Sequence, residues 1–242
     1  MTALAGMAAS CVSAKTDYES VIIDRKSVCQ ILRGGEARYI QGMARQADRR
    51  EASREAILSA AARFFAAEGF QAVTVDAIAQ AAGLAKGAVY HHFPSKEAIF
   101  EAVFERTAAA LQQEVHAVAA ASKDRLKAMA AGARAYFEAC ARPPYDRIVL
   151  KDGPAVLGWD RWREIDERYF LAMLPQTLEA AMSEGAIPRQ PAAPLARLLI
   201  GAMTEAAVAC AGSDDPHRTG LEHARALESL LEGLRARPGE PR

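Results

Sequence analysis

The chain has 242 residues, 51% of them hydrophobic and 25% charged, a globular composition that excludes a wholly disordered protein and leaves room for one large domain or two smaller ones. Its 30 Lys and Arg are matched by 30 Asp and Glu, so net charge points to no nucleic acid, membrane surface or acidic substrate, and any binding claim must rest on local pattern. Cys11, Cys29, Cys140 and Cys210 lie far apart, with no CxxC pair and no histidines at zinc-ligand spacing, and read as reduced thiols in a cytoplasmic protein. No Lys or Arg precedes the mildly apolar Met1–Val12, so no secretion signal is expected there. No window approaches the roughly 18 uninterrupted apolar residues of a membrane span.

In chain order, residues 1–42 mix Ser, Gly and charges without sustained period. They are expected to be disordered, or to precede a true start at Met43, or to hold a short strand at Val21–Ile23. From Arg50 to Glu68, Ile57, Ala61, Phe64 and Phe65 recur on one helical face, and Gly69 is placed to end that helix. Thr74 is an N-cap, Asp76 sits in the first turn of the next helix, and Ile78 and Ala82 form its apolar face. Gly83 closes it. A third short helix runs through His91 with Leu84, Val89 and Phe93 as contacts; Pro94 stops it and Ser95 caps a long fourth helix to about Ala120. Further helices are predicted over Lys123–Cys140, Asp160–Glu184, Ala192–Ala211 and Arg218–Arg235, separated by Pro and Gly clusters. No run alternates as a half-buried strand would, so the fold class is all-α.

Helix, short helix, Gly turn and short helix is the helix-turn-helix arrangement, whose second short helix enters the major groove of DNA. The twenty residues between Asp76 and Glu97 contain no carboxylate but do contain Lys86, His91, His92 and Lys96. Lys86, Tyr90, Lys96 and the amides at the Thr74 and Ser95 caps suit phosphate contact. Gly87 would admit close backbone approach, Ala88 could meet a thymine methyl, and His91 could bond a base edge or phosphate. Lysines of this kind are also ordinary solvated charges, and Phe93 is read as core. Adjacent His91 and His92 point about 100° apart with no third ligand nearby, so no metal is expected.

The stretch from Gly69-Phe70 through Val73–Ala79 and Ala82–Ile99 closely resembles the DNA-binding domain of the tetracycline-repressor (TetR) family, over about Ser53 to Phe104. The resemblance implies a three-helix helix-turn-helix domain over 49–94, followed by a helical ligand-binding and dimerisation domain over 95–236, with a disordered extension over 1–48 and a tail at 237–242. It implies a homodimeric repressor that binds palindromic double-stranded operator DNA through Thr74, Lys86, Gly87, Ala88, Tyr90, His91, His92 and Lys96. Release would follow binding of an apolar or amphipathic small molecule; activation instead of repression stays open. Ala85 departs from the family, whose members often carry Ser as the cap of that helix.

In the second half, Tyr136, Phe137, Trp159, Tyr169 and Met173 could line an apolar pocket with Asp152 or Arg163 as polar anchor; the same residue types also fill any helical core. Leucine and alanine stripes over Leu195–Ala209 and Leu221–Leu234 suit a dimer interface. No GxSxG, GxxxxGK[ST] or HExxH is present, so neither an enzyme nor a cofactor is expected. The rival reading is a DNA-binding module without an inducer, controlled by protein partners.

Overall fold

A computed structural model describes residues 25–170 and 173–236. The chain divides into two compact units, residues 1–50 and Glu51–Arg242. The first helix, α1 (Arg25–Glu68), starts well before the Arg50 expected from periodicity. Residues 25–48 lack proline, and helical hydrogen bonding needs no apolar stripe; a search for stripes finds only helices with a face to bury. The expectations for residues 1–24, including a strand at Val21–Ile23, and for the tail at 237–242 lie outside the described residues. The second unit, from Glu51 onward, holds a small helical head and a larger helical body.

Ile57, Ala61 and Phe65 of α1 are fully buried and start the core of a three-helix head completed by α2 (Val75–Ala81) and α3 (Lys86–His92). Gly69 (φ +82°) and Gly83 (φ +68°) take the left-handed conformation where α1 and α2 end, which costs other L residues about 1–2 kcal/mol. The Thr74 hydroxyl accepts from the Ala77 amide at 3.2 Å, fixing the start of α2. Ala85 has no side chain to do this for α3, so that start relies on backbone bonds such as Ala88 N–H to Ala85 C=O at 2.9 Å. Ile78, Val89, Ile99 and Phe100 seal the head. The rings of Phe65, Phe70 and Phe100 meet one another at centroid distances of 5.3–5.8 Å, each pair contributing about 0.5–1.5 kcal/mol beyond its area.

The fourth helix, α4 (Lys96–Ala119), is capped by Ser95 and leads into the helical body. There α5 (Arg125–Cys140) is capped by Asp124, which accepts from the amides of Leu126 and Lys127. After it come a π-helical stretch (Asp146–Asp152), the short α6 (Gly153–Leu157), α7 (Trp159–Phe170), α8 (Leu174–Ser183), α9 (Ala192–Ala211) and α10 (Pro216–Gly233). The single helix expected over Asp160–Glu184 is two helices. Pro175 cannot donate to the carbonyl four residues back, and it falls instead in the first turn of α8, where no such bond is required. Helix α5 packs between α4 and α10, and α9 packs on α5, α8 and α10. By length and composition α9 could cross a membrane, although Arg197 and Glu205 interrupt it; Ala196, Leu199, Ala207 and Cys210 bury one side of it in the body.

Asp166 of α7 is 4% exposed and accepts a hydrogen bond from Thr204 of α9 at 3.2 Å. Burial pushes its carboxyl up from 3.8 to about 6, the Thr204 bond pulling the other way. The native protein therefore holds more protons than the unfolded chain between these values, so this group's contribution to stability is complete below about pH 4 and lost as pH rises past about 6. Asp166→Asn should raise stability at pH 7.5 by roughly 1–3 kcal/mol and leave it little changed at pH 4. Urea midpoints at the two pH values check this; an equal effect at both would rule out titration of Asp166 as the cause.

Candidate nucleic-acid interface

Helix α3 buries Val89 in the head and turns Lys86, Gly87, Tyr90 and His91 to solvent, with Ala88 and His92 half-buried beside them. Positions 86, 87, 90 and 91 fall on one side of a helix with about 100° per residue. The tyrosine ring is 46% exposed although large aromatics are usually buried. The surface thus offers a basic side chain, a bare stretch of backbone, a phenol and an imidazole on a helix slender enough for a major groove.

Two of the sequence-chosen cations are already engaged. Lys86 pairs with Asp76 of α2 at 2.7 Å in solvent; that hydrogen bond, with the carboxylate's charge, raises the ammonium's pKa. The pair spans the edge of the carboxylate-free window, so the positive potential there is weaker than the window alone implies. A solvent-exposed pair of this kind is weak and exchanges readily for a phosphate. Lys96 is different. Half-buried, it donates to the carbonyls of Phe70 at 2.9 Å and Val73 at 3.0 Å, and its ammonium lies 4.1 Å from the centroid of the Phe70 ring. Its first role is to hold the α1–α2 turn against α4, so two of its three donors are spent inside the protein.

The same turn is gripped from the body. Arg147 of the π-helical stretch donates to the Glu68 carbonyl at 2.8 Å, and Asp152 accepts from the Phe70 amide at 2.8 Å. A Cβ on Gly69 would meet the Arg147 guanidinium at 2.5 Å and push that flexible side chain off the Glu68 carbonyl, while the φ of +82° is what calls for glycine itself. Asp152, expected as a ligand anchor, is therefore a bracket between head and body. Nothing local in the sequence pairs it with Phe70, 82 residues away.

The other expected pocket residues separate. A cavity of about 180 Å³ opens among α4, α5, α7, α8, α9 and α10, and Tyr169 and Met173 line it together with Gln112, Met129, Phe170 and Met203. Tyr136 and Phe137 lie in the core instead, edge to face at 5.6 Å. Trp159, 51% exposed, and Arg163 border a smaller recess of about 70 Å³ beside Asp166 and Arg197. The sequence missed Gln112, Met129 and Met203 because each reads as an ordinary position on an amphipathic helix. Only the packing of six helices brings them together.

This is a helix-turn-helix protein with a helical body behind its reading head. The family model "Bacterial regulatory proteins, tetR family" matches residues 57–103, and "Tetracyclin repressor-like, C-terminal domain" matches residues 126–234. The chain belongs to the TetR family. A TetR-family transcriptional regulator from Pectobacterium atrosepticum has a similar solved structure, with a TM-score of 0.71 and 29% identity, over 79% of this chain and 98% of that one. The HTH-type transcriptional repressor AcnR of Corynebacterium efficiens is 40% identical over 63 residues, 26% of this chain and 34% of the relative. The HTH-type transcriptional repressor KstR2 of Rhodococcus jostii is 28% identical over 143 residues, 54% of this chain and 66% of the relative. The match thus spans about a third of the length of the corynebacterial repressors.

Asp152→Ala leaves the Phe70 amide without its acceptor and should cost about 1–3 kcal/mol of stability, whereas Asp152→Asn, which keeps an oxygen acceptor, should cost less. Denaturant unfolding of both variants checks the order. Equal losses would mean that the charge, not the hydrogen bond, holds the bracket.

Proposed function

We propose that the protein is a transcriptional repressor that binds palindromic operator DNA as a homodimer and is released by a small-molecule inducer. The observation that carries the DNA-binding part is the outward set of Lys86, Gly87, Tyr90 and His91 on a short helix whose opposite side is locked into the head. Thr74, Ala88, His92 and Lys96 flank this set, with Lys96 acting mainly by fixing the geometry of the α1–α2 turn. On DNA, Lys86 would exchange Asp76 for a phosphate, and Tyr90 would donate to another; Gly87, Ala88 and His91 would face base edges.

A twofold assembly is supported by the apolar surface left on the last two helices. Leu198 of α9 is 72% exposed and Leu230 of α10 60%, and Gly201 and Ala202 lie exposed near Leu198, where small residues would let a second helix approach. A twofold dimer would match a palindromic site. Inducer action is supported by the cavity in the body, walled on one side by the C-terminal half of α4. The N-terminal end of the same helix holds the head through Lys96. A ligand that binds better when the two heads are wrongly spaced for DNA would lower operator affinity, and the operator would weaken ligand binding by the same factor. The cavity favours this reading over a module controlled by protein partners alone. On this reading the protein works in the cytoplasm and has no catalytic role.

The first experiment is anisotropy or gel-shift binding of the whole chain to the DNA upstream of its own gene, with random DNA as competitor at fixed salt. Preferential binding at two chains per site is expected; binding no better than to random DNA would overturn the proposed use of α3. In the same assay Tyr90→Ala should weaken operator and random DNA alike, by roughly 3- to 10-fold for one lost phosphate hydrogen bond. His91→Ala should instead change the ratio between the two. Leu198→Glu should shift the sedimenting species from dimer to monomer and reduce operator binding without lowering helicity; an unchanged mass would place the interface elsewhere.

A further inference from the structure

The chemistry of the cavity in the body narrows what can enter it, an inference that rests on the proposal that this cavity is the effector site. Among the described residues no Asp, Glu, Lys or Arg lines it, and the exposed His116 is the one lining side chain able to carry a positive charge. An ammonium ligand would shed its water there without gaining a counter-charge, which is heavily disfavoured, and a carboxylate would find only the solvent-exposed imidazole of His116. The wall is largely aliphatic, with Tyr169 and Phe170 on one side and Met129, Met173 and Met203 around them. Methionine thioethers adapt to irregular shapes and pack well against aromatic rings.

Two of the polar lining groups are partly committed. Gln112 donates through Nε2 to the Tyr169 carbonyl at 2.6 Å, and the Thr177 hydroxyl donates to the Met173 carbonyl at 3.0 Å. What each has left to accept with is an oxygen, Gln112 Oε1 and Thr177 Oγ1. The site is therefore short of charge, and beside the donors of His116 and the Tyr169 hydroxyl it holds two acceptors with capacity left, so a ligand that carries a donor finds a partner in it. Size sets the last limit: an apolar cavity of about 150 Å³ holds a benzene, and this one measures about 180 Å³.

We propose that the cavity takes an uncharged aromatic compound of one or two fused rings bearing a single hydroxyl or N–H donor, of the phenol or indole type, and rejects ring compounds of the same size that carry a charge. The ring lies against Tyr169, Phe170 and the methionines, and the donor reaches Gln112 or Thr177. Calorimetry and thermal melting of the whole chain test this with four probes: indole and phenol as neutral ligands, benzoate and benzylamine as charged ones. Saturable binding of indole or phenol is expected, roughly tenfold or more tighter than either charged probe. Ala128→Phe puts a ring into the lining and should abolish that binding; Ala128→Leu fills less space and should weaken it, keeping the test open if the larger substitution disturbs folding.

Equal affinity for charged and neutral probes, no saturable binding of either neutral probe at millimolar concentration, or undiminished indole binding by a folded Ala128 variant would each overturn the proposal. Operator binding is then measured with the tighter neutral probe present. If that probe occupies the cavity and leaves operator affinity unchanged, the ligand chemistry stands and the effector role fails; if only charged compounds release the operator, the effector role stands and the chemistry fails.

Discussion

The turn from Glu68 to Phe70 is the point on which the rest of the structure depends. Three of its backbone groups are taken by charged side chains from elsewhere: the Glu68 carbonyl by Arg147, the Phe70 amide by Asp152 and the Phe70 carbonyl by Lys96. Hydrogen bonds to charged groups are stronger than neutral ones, at about 1.5–3 kcal/mol each, and here they are set around one glycine with no side chain to obstruct them. The turn also carries the Phe70 ring into the cluster with Phe65 and Phe100. The orientation of the head is therefore determined jointly by the start of α4 and by the π-helical stretch of the body.

That double hold ties a small head to a larger core. Two seven-residue helices and the end of α1 bury too little apolar surface to be robust alone, and α3 lacks even a side-chain cap. Docking the α1–α2 turn on the body makes the head part of a larger core. The docking has a cost, since groups used to hold the head cannot all be turned outward, as Lys96 illustrates. The arrangement trades surface charge for position, and a neutral protein can do so because phosphate attraction can be supplied by amides and by a few freely exposed groups.

The head was legible in the sequence because its signals act within a few residues. Thr74 and Ser95 bond amides three positions on, and Gly69 and Gly83 each follow directly on a helical apolar stripe, the place where a left-handed residue ends a helix. Composition and period likewise suffice for an all-helical body. What escaped depends on distance or on the absence of an apolar stripe. The partners of Lys96 are 23 and 26 residues away, Asp152 bonds across 82, and α1 runs back to Arg25 through residues with no repeating face. Of the side chains read as possible pocket lining, Tyr169 and Met173 share a cavity while Tyr136 and Phe137 do not. Burial alone is foreseeable for such residues; which side of a packed helix meets empty space is not.

The two tryptophans give the molecule an optical property tied to its bracket. Trp162 is buried and donates its indole N–H to the Val149 carbonyl at 2.8 Å, within the π-helical stretch that carries Arg147 and Asp152. Trp159 stands half in solvent with its ring centre 5.0 Å from that of Trp162. All indole emission thus originates beside the segment that grips the head, while the cavity contains no tryptophan of its own. Intrinsic fluorescence reports the state of the junction between head and body directly, with no label attached.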